Sequence, residues 1–274
     1  MRIAVQIAGD FRFIHLTYLS LLRSLDSTKN EIDFFIHTWK KENTGYGTLP
    51  FPGRGDWHNE IVVFSTEEGL NLYKPKAALV EDYEEKKELH PRSTTIQEGL
   101  RSRFLSMFYS IHMANELRKR YEQDSSIRYD LVVKYRTDCF VNHSIPAISS
   151  KEIESKIPFI CIPNSSFVEI DHITDFIAWG TPDHMDIYTS IYPVWKNREF
   201  NDPSGVMMGL FSPEQILISI LTEAKSYLKR DFCYFSLIKM DGPREATRTP
   251  WSYQQRIEFI QNLYKEFVEF KQMT

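Results

Sequence analysis

Glycine-rich phosphate signatures are missing from this sequence. It contains no Gly-x-Gly-x-x-Gly and no Gly-x-x-x-x-Gly-Lys-Ser/Thr, so neither a dinucleotide-binding turn nor a P-loop is signalled. Gly-x-Ser-x-Gly, His-Glu-x-x-His and paired-Cys motifs are missing too, which removes the ordinary serine hydrolases and zinc enzymes. Cysteine is scarce. Cys139, Cys161 and Cys233 are odd in number and far apart, so they build neither a disulfide framework nor a zinc knuckle, and read as reduced thiols of a cytoplasmic protein. No run reaches the roughly 18 apolar residues of a membrane span. The opening Met-Arg-Ile-Ala-Val-Gln-Ile-Ala-Gly reads as a first strand and not as a signal peptide. A role at a membrane would then be a peripheral contact. Lys and Arg do not cluster and the net charge is −4, so no nucleic-acid partner is expected.

The 274 residues are 42% hydrophobic and 26% charged, the balance of a folded globular chain, and suffice for one sizeable domain. Phe and Tyr are abundant, at 19 and 14. Most belong to a core, and the remainder suit a cleft that stacks rings on bases or sugars.

The order of elements predicts an α/β fold. Ile3 to Ala8 is an apolar run closed by Gly9. Apolar residues then recur at helical spacing from Phe11 to Leu25, and Ile32 to Ile36 is a second strand ending at His37-Thr38-Trp39. Strand, helix, strand opens a parallel sheet. Residues 40 to 60 read as a long loop, and short strands are expected at Glu60 to Phe64 and Ala77 to Glu81. Ile96 to Tyr121 is the strongest helix, with Leu100, Phe104, Met107, Ile111, Ala114 and Leu117 on one face. Later strands are expected at Pro158 to Ile162, before Gly180, and at Asp231 to Met240. Later helices are expected over Pro182 to Tyr192 with Thr181 as N-cap, from Ser212-Pro-Glu-Gln215 to about Tyr227, and from Trp251 onward.

The richest stretch is Tyr129-Asp-Leu-Val-Val-Lys-Tyr-Arg-Thr-Asp138. Strand alternation puts Leu131, Val133, Tyr135 and Thr137 on one face and Val132, Lys134, Arg136 and Asp138 on the other. Polarity rises toward the carboxyl end, where open α/β sheets bind ligands. Two cations and a carboxylate there suit phosphate plus metal. Along a strand Arg136 would lie roughly 6.6 Å from Asp138, from which it reaches a phosphate or holds the carboxylate in place. Arg12 follows the Ala8-Gly9-Asp10 turn, where a forked guanidinium and backbone amides suit a phosphate. The alternative is a surface Arg at a helix start.

Several marks recur in order. They are Ile7-Ala-Gly-Asp-Phe-Arg12, Asp33-Phe-Phe-Ile-His-Thr-Trp39, Ser106-Met-Phe-Tyr-Ser110, Tyr129-Asp to Tyr135-Arg-Thr-Asp138, Ile173-Thr-Asp-Phe-Ile-Ala-Trp-Gly180 and Ser212-Pro-Glu-Gln215. Together they span most of the chain. The pattern resembles the nucleotide-sugar-dependent glycosyltransferases of GT-A type, and more closely the bacterial and viral polysaccharide-synthesis transferases that include the WavE lipopolysaccharide family. The resemblance implies a single GT-A-like domain with a mostly parallel, Rossmann-like central sheet flanked by helices. Residues to about 140 would bind the nucleotide and the rest the acceptor, with the loops at 40–60 and 197–211 as lids. It implies a nucleotide-sugar donor, a glycan or lipid-linked sugar acceptor, and Mn²⁺ or Mg²⁺ as cofactor.

On that resemblance Ala8, Gly9, Asp10, Arg12, His37, Thr38, Trp39, Lys134, Arg136 and Asp138 form the nucleotide site, with Asp138 on the metal. Asp175 is the first candidate for the base that takes the acceptor's proton and Asp171 the second. Trp179 and Glu214 are acceptor contacts, although an acid at a helix start needs no further reason than the macrodipole. The chain departs from the family where Asp-x-Asp is usual, offering Arg136-Thr137-Asp138. Either Asp138 shares the metal with a distant acid or His (His172 and His184 are available) and with the diphosphate, or Arg136 replaces part of the metal's charge. A non-catalytic sugar- or nucleotide-binding module and a sugar-phosphate nucleotidyltransferase are the rivals. A methyltransferase is weaker for want of an acidic glycine-rich first turn.

Overall fold

Strand β1 (Arg2–Ala8) is buried from Ile3 to Ile7, because its side chains supply core to both faces of a sheet. The computed structural model of the chain describes residues 1–49, 59–86, 89, 96–141, 143–163, 175–194 and 196, with 217, 221, 228–231, 235–237 and 244–245. Around β1 lie β2 (Glu31–Trp39), β5 (Ala77–Glu81), β6 (Leu131–Tyr135), β8 (Ile160–Pro163), β9 (Ile177–Gly180) and β10 (Leu228–Asp231). They form one seven-stranded sheet in the order β10-β8-β9-β6-β1-β2-β5. Its pairs are parallel except at β9, which runs antiparallel to both β6 and β8. The expected mixed α/β domain, mostly parallel at its centre and flanked by helices, is what the chain forms.

Period-two alternation sorts the core into two layers. Ala4, Phe35, Val132 and Ala178 pack against Leu105, Phe108 and Ile111 of α3 (Ile96–Ser125) and Met185 and Tyr188 of α6 (Pro182–Thr189). Ile3, Val5, Ile7, Phe34, Ile36, Leu131 and Val133 face Ile14 and Leu21 of α1 (Ile14–Ser24) and Tyr73 of α2 (Thr66–Tyr73). Each fully buried aliphatic or aromatic side chain is worth roughly 1.5–3 kcal/mol relative to exposure.

Helix α1 starts at Ile14, directly after the turn that ends at Arg12, with Phe13 at φ +49 as its N-cap. Strand β2 ends at Trp39, as expected. Differences from the sequence reading have local causes. The loop after β2 folds partly into a hairpin of β3 (Gly45–Leu49) and β4 (Asn59–Val63). Helix α2 carries a Ser65–Glu68 capping box, and Glu68 also accepts from the Thr44 hydroxyl. On α3 the deepest residues are Leu105, Phe108, Ile111 and Ala114, continued by polar Asn115 and Arg118 at 2% and 1% exposure. Asn115 accepts from Gln6 and donates to Asp186, and Arg118 is paired with Glu122 and Asp186. These partners make the polar burial tolerable. A small antiparallel sheet joins β7 (Cys139–Val141), β11 (Phe235–Leu237) and β12 (Arg244–Glu245), and two short helices, α4 (Ile145–Ile148) and α5 (Ser150–Glu154), follow β7. Thr181 stands at the N-cap of α6, but its hydroxyl accepts from Phe159 N–H and makes no capping bond. Among the described residues no helix is long and apolar enough to cross a membrane. The Ser212–Gln215 helix start, the helix from Trp251 and the loop at 197–211 lie outside the described residues.

The chain winds outward from β1 to β2 and β5, then returns through α3 to place β6 on the other side of β1. That reversal creates a crevice at the carboxyl ends of β1 and β6, the usual ligand position in open α/β sheets.

Candidate functional site

Three chain segments meet at this crevice. The first is the turn after β1. Gly9 has φ +93 with open space where a Cβ would stand, so conformation alone favours glycine there. Its N–H donates to the His37 carbonyl at 3.0 Å. Phe13, at φ +49, closes the other side of the turn and leaves Arg12 at the rim.

The second segment is the turn after β6. The strand ends at Tyr135, and Cys139 N–H donates to the Arg136 carbonyl at 3.0 Å, so residues 136 to 139 form a tight turn. This corrects the extended spacing expected for Arg136 and Asp138. The turn folds one onto the other. Arg136 donates from Nε and Nη2 to the two oxygens of Asp138, at 2.6 and 3.0 Å. The third segment is the entry to the reversed strand β9. Arg136 N–H donates to the Phe176 carbonyl, and its Nη1 donates to Asp175 Oδ2 at 3.5 Å. Its guanidinium lies 4.1 Å from the centre of the Phe176 ring.

Thr137, which sequence reasoning put on the opposite face, joins the first two segments. Its Oγ1 accepts from Arg12 N–H at 2.8 Å and donates to the Asp10 carbonyl at 3.1 Å, while Thr17 donates to its carbonyl at 2.6 Å. No sequence signal marked this role, since a hydroxyl at a strand end is compatible with any turn.

The charges are balanced and unevenly satisfied. Burial pushes the Asp138 carboxyl up, but Arg136 and then Arg12 outweigh it and hold the group below the usual carboxylate range. Lys134 is 2% exposed and donates to the Asp175 carbonyl. Burial draws its ammonium down to about 8. Arg12 is different. Its Nη2 stands 3.7 Å from Asp10 and its Nη1 3.7 Å from Asp138, both beyond hydrogen-bonding reach. Its buried Nε has no partner either, so among the described residues the guanidinium makes no hydrogen bond.

A metal fits this donor set poorly. Both Asp138 oxygens already accept from Arg136, and Arg12 stands beside one of them. Two unit charges 4 Å apart near a protein surface interact by about 4 kcal/mol, and a divalent ion doubles the repulsion to about 8 kcal/mol. Among the described residues no three His, Cys, Asp or Glu side chains gather as a metal site. No step is therefore routed through Mn²⁺ or Mg²⁺.

The remaining candidates are distributed as follows. Ala8 pairs with His37 across β1 and β2. His37 is fully buried and shares Glu81 with Tyr109 and Lys86, at 2.9, 2.7 and 2.6 Å. Burial lowers the His37 pKa against the pull of Glu81, and burial with the Glu81 bond raises Tyr109 to about 12. Trp39 stacks on Tyr109 and meets His37 and Tyr83 edge-on, and Thr38 is buried beside it. These three residues are buried at the carboxyl end of β2 and are not an open surface. Trp179, expected at the acceptor, is a core residue. It is 1% exposed, and its indole N–H donates to Ser149 Oγ. His184 lies in α6, away from the rim. Asp171, His172 and Glu214 lie outside the described residues.

No protein-family model matches the chain, and no curated protein is significantly similar to it. Similar solved structures include the following three. Mouse xyloside xylosyltransferase 1 in its apo form is 9% identical, with 84% of each chain covered and a TM-score of 0.45. A Bacillus anthracis protein assigned as a glucose-1-phosphate thymidylyltransferase, in complex with a sucrose, is 9% identical over 96% of this chain and 95% of its own, with a TM-score of 0.42. A glycosyltransferase involved in glycosylating the major capsid of PBCV-1 is 10% identical over 85% of this chain and 83% of its own, with a TM-score of 0.35. Likenesses this faint transfer neither an activity nor a substrate to the chain.

Proposed function

We propose that this chain is a nucleotide-sugar-dependent glycosyltransferase of GT-A type, similar to the WavE-like polysaccharide-synthesis transferases, acting on a glycan or lipid-linked sugar. The observation that carries the reading is Arg12. It is a guanidinium without a hydrogen bond, held between two carboxylates at the crevice where the strand order reverses. A planar fork that is ion-paired at 3.7 Å but makes no hydrogen bond is suited to a diphosphate. The rim to about residue 140 would hold the donor and the later residues the acceptor.

In the transfer the bond between the sugar's anomeric carbon and the diphosphate oxygen breaks, and its electron pair stays on the diphosphate. The acceptor hydroxyl oxygen forms the new bond to that carbon and gives up its proton. Cations aimed at the leaving oxygen stabilise the charge that grows there. Asp175 is the proposed base. Its carboxylate faces Arg136, and a diphosphate that draws Arg136 toward itself would release Asp175 to accept the proton.

One observation favours the rival reading of a non-catalytic binding module. Two of the three rim carboxylates, Asp138 and Asp175, are engaged by the same arginine. Donor turnover separates the two. Incubation with a panel of nucleotide sugars and sugar acceptors is expected to release a nucleoside diphosphate. Arg12→Ala is expected to weaken nucleoside diphosphate binding about tenfold or more, as loss of a charge-assisted contact does. Unchanged affinity in the variant would move the nucleotide elsewhere, and tight binding without turnover would leave a binding module. Release of pyrophosphate from a nucleoside triphosphate would identify a nucleotidyltransferase.

A further inference from the structure

We infer that the Arg136 guanidinium stands where a bridging divalent ion would otherwise be needed, so that the donor diphosphate is held by Arg12 and Arg136 with no metal bound. The inference rests on the nucleotide-sugar reading and deepens it. Asp138, in the turn after β6, and Asp175, in the segment that enters β9, converge on one cation, an arrangement that two carboxylates commonly offer a metal. Here the chain's own cation fills the position. Arg136 is anchored on three sides, by a two-point contact with Asp138, by Asp175, and by the ring of Phe176. Of the five N–H donors of a guanidinium, three are engaged by these carboxylates. The other two remain for a ligand, on a side chain that is 25% exposed.

Chemistry supports the substitution. A guanidinium keeps its charge across the whole physiological range and needs no uptake from solution. Its planar fork spans two phosphate oxygens, and the unbonded Arg12 guanidinium supplies a second positive charge on the other side of Asp138. A metal entering the same place would have to expel Arg136 from both carboxylates and then stand beside it.

The test is calorimetry on the wild-type chain with uridine, guanosine, adenosine, cytidine and thymidine diphosphates, each with EDTA and again with Mn²⁺. The expected result is one diphosphate that binds with the same affinity in both conditions, within about threefold. Arg136→Gln is expected to weaken it by about tenfold in EDTA. Mn²⁺ alone, followed by its electron paramagnetic resonance signal, is expected to remain free with the wild type. It is expected to bind to Arg136→Ala, where both carboxylates are released. A diphosphate that binds only with Mn²⁺, or Mn²⁺ bound alone by the wild type, would overturn the inference and leave the nucleotide-sugar reading standing. If no diphosphate bound in either condition, that reading would fall and this one with it. The wild-type comparisons decide the matter even where a variant does not fold.

Discussion

Lys134 shows how far the position of one group can set its chemistry. A lysine near the end of a strand reads as a phosphate contact, yet this one is buried and donates to the backbone carbonyl of Asp175. Burial lowers its pKa from 10.5 to about 8. The unfolded chain therefore binds more protons between those values, and stability rises with pH across that window. The charged form is a full cost to the fold below about 8 and ceases to be one above about 10.5. Thermal unfolding followed from pH 7.5 to 10 should show the wild type gaining stability relative to Lys134→Met, which lacks the titrating group. Parallel curves would refute the burial argument. The residue's role in the site is to hold the segment that carries Asp175, a role its place in the sequence did not distinguish from ligand binding.

The paired turns after β1 and β6 form a single structural unit. Thr137 links them through two hydrogen bonds, and Thr17 anchors it from α1. Thr137→Val keeps the shape and removes both side-chain bonds. Leaving buried donors and acceptors unmade costs about 1–3 kcal/mol. Urea unfolding should report that loss, and calorimetry should show weaker nucleoside diphosphate binding because the turn that presents Arg12 is loosened. Unchanged stability and affinity would mean that the two turns are independent. Most strands and α3 were legible from hydrophobic period alone. Helix α1 was legible as well, but the left-handed Phe13 at its N-cap leaves no mark in an apolar run. The inner stripe of α3 was misjudged at Asn115 and Arg118, since polar residues are buried only where partners from other elements, Gln6 and Asp186, satisfy them.

Across the whole molecule the rim cluster binds together chain segments more than a hundred residues apart. Arg12, Lys134 and Arg136 are set against Asp10, Asp138 and Asp175. Such an arrangement makes the fold sensitive to acid. The folded-state pKa of Asp138 is depressed, so its contribution is complete above the ordinary carboxylate value near 3.9 and disappears as pH falls through the folded value. Asp138→Asn should lower stability at pH 7 by about 3 kcal/mol, the scale of breaking a buried pair. It should also lose less further stability than the wild type between pH 5 and pH 2. Denaturant unfolding at several pH values measures both effects. Identical acid profiles would show that the carboxylate is not held below its usual range.

The linear order of residues was enough to establish a mostly parallel α/β domain and to mark Arg12, Arg136 and Asp138 as belonging to one rim, because alternation and winding rules follow from backbone sterics. It did not reveal that Arg136 lies across both Asp138 and Asp175, that Thr137 ties two turns together, or that Trp179 is sealed in the core. Those facts arise from contacts between segments distant in the chain. Which charge meets which, and how much water each retains, depends on where the turns bring side chains in space.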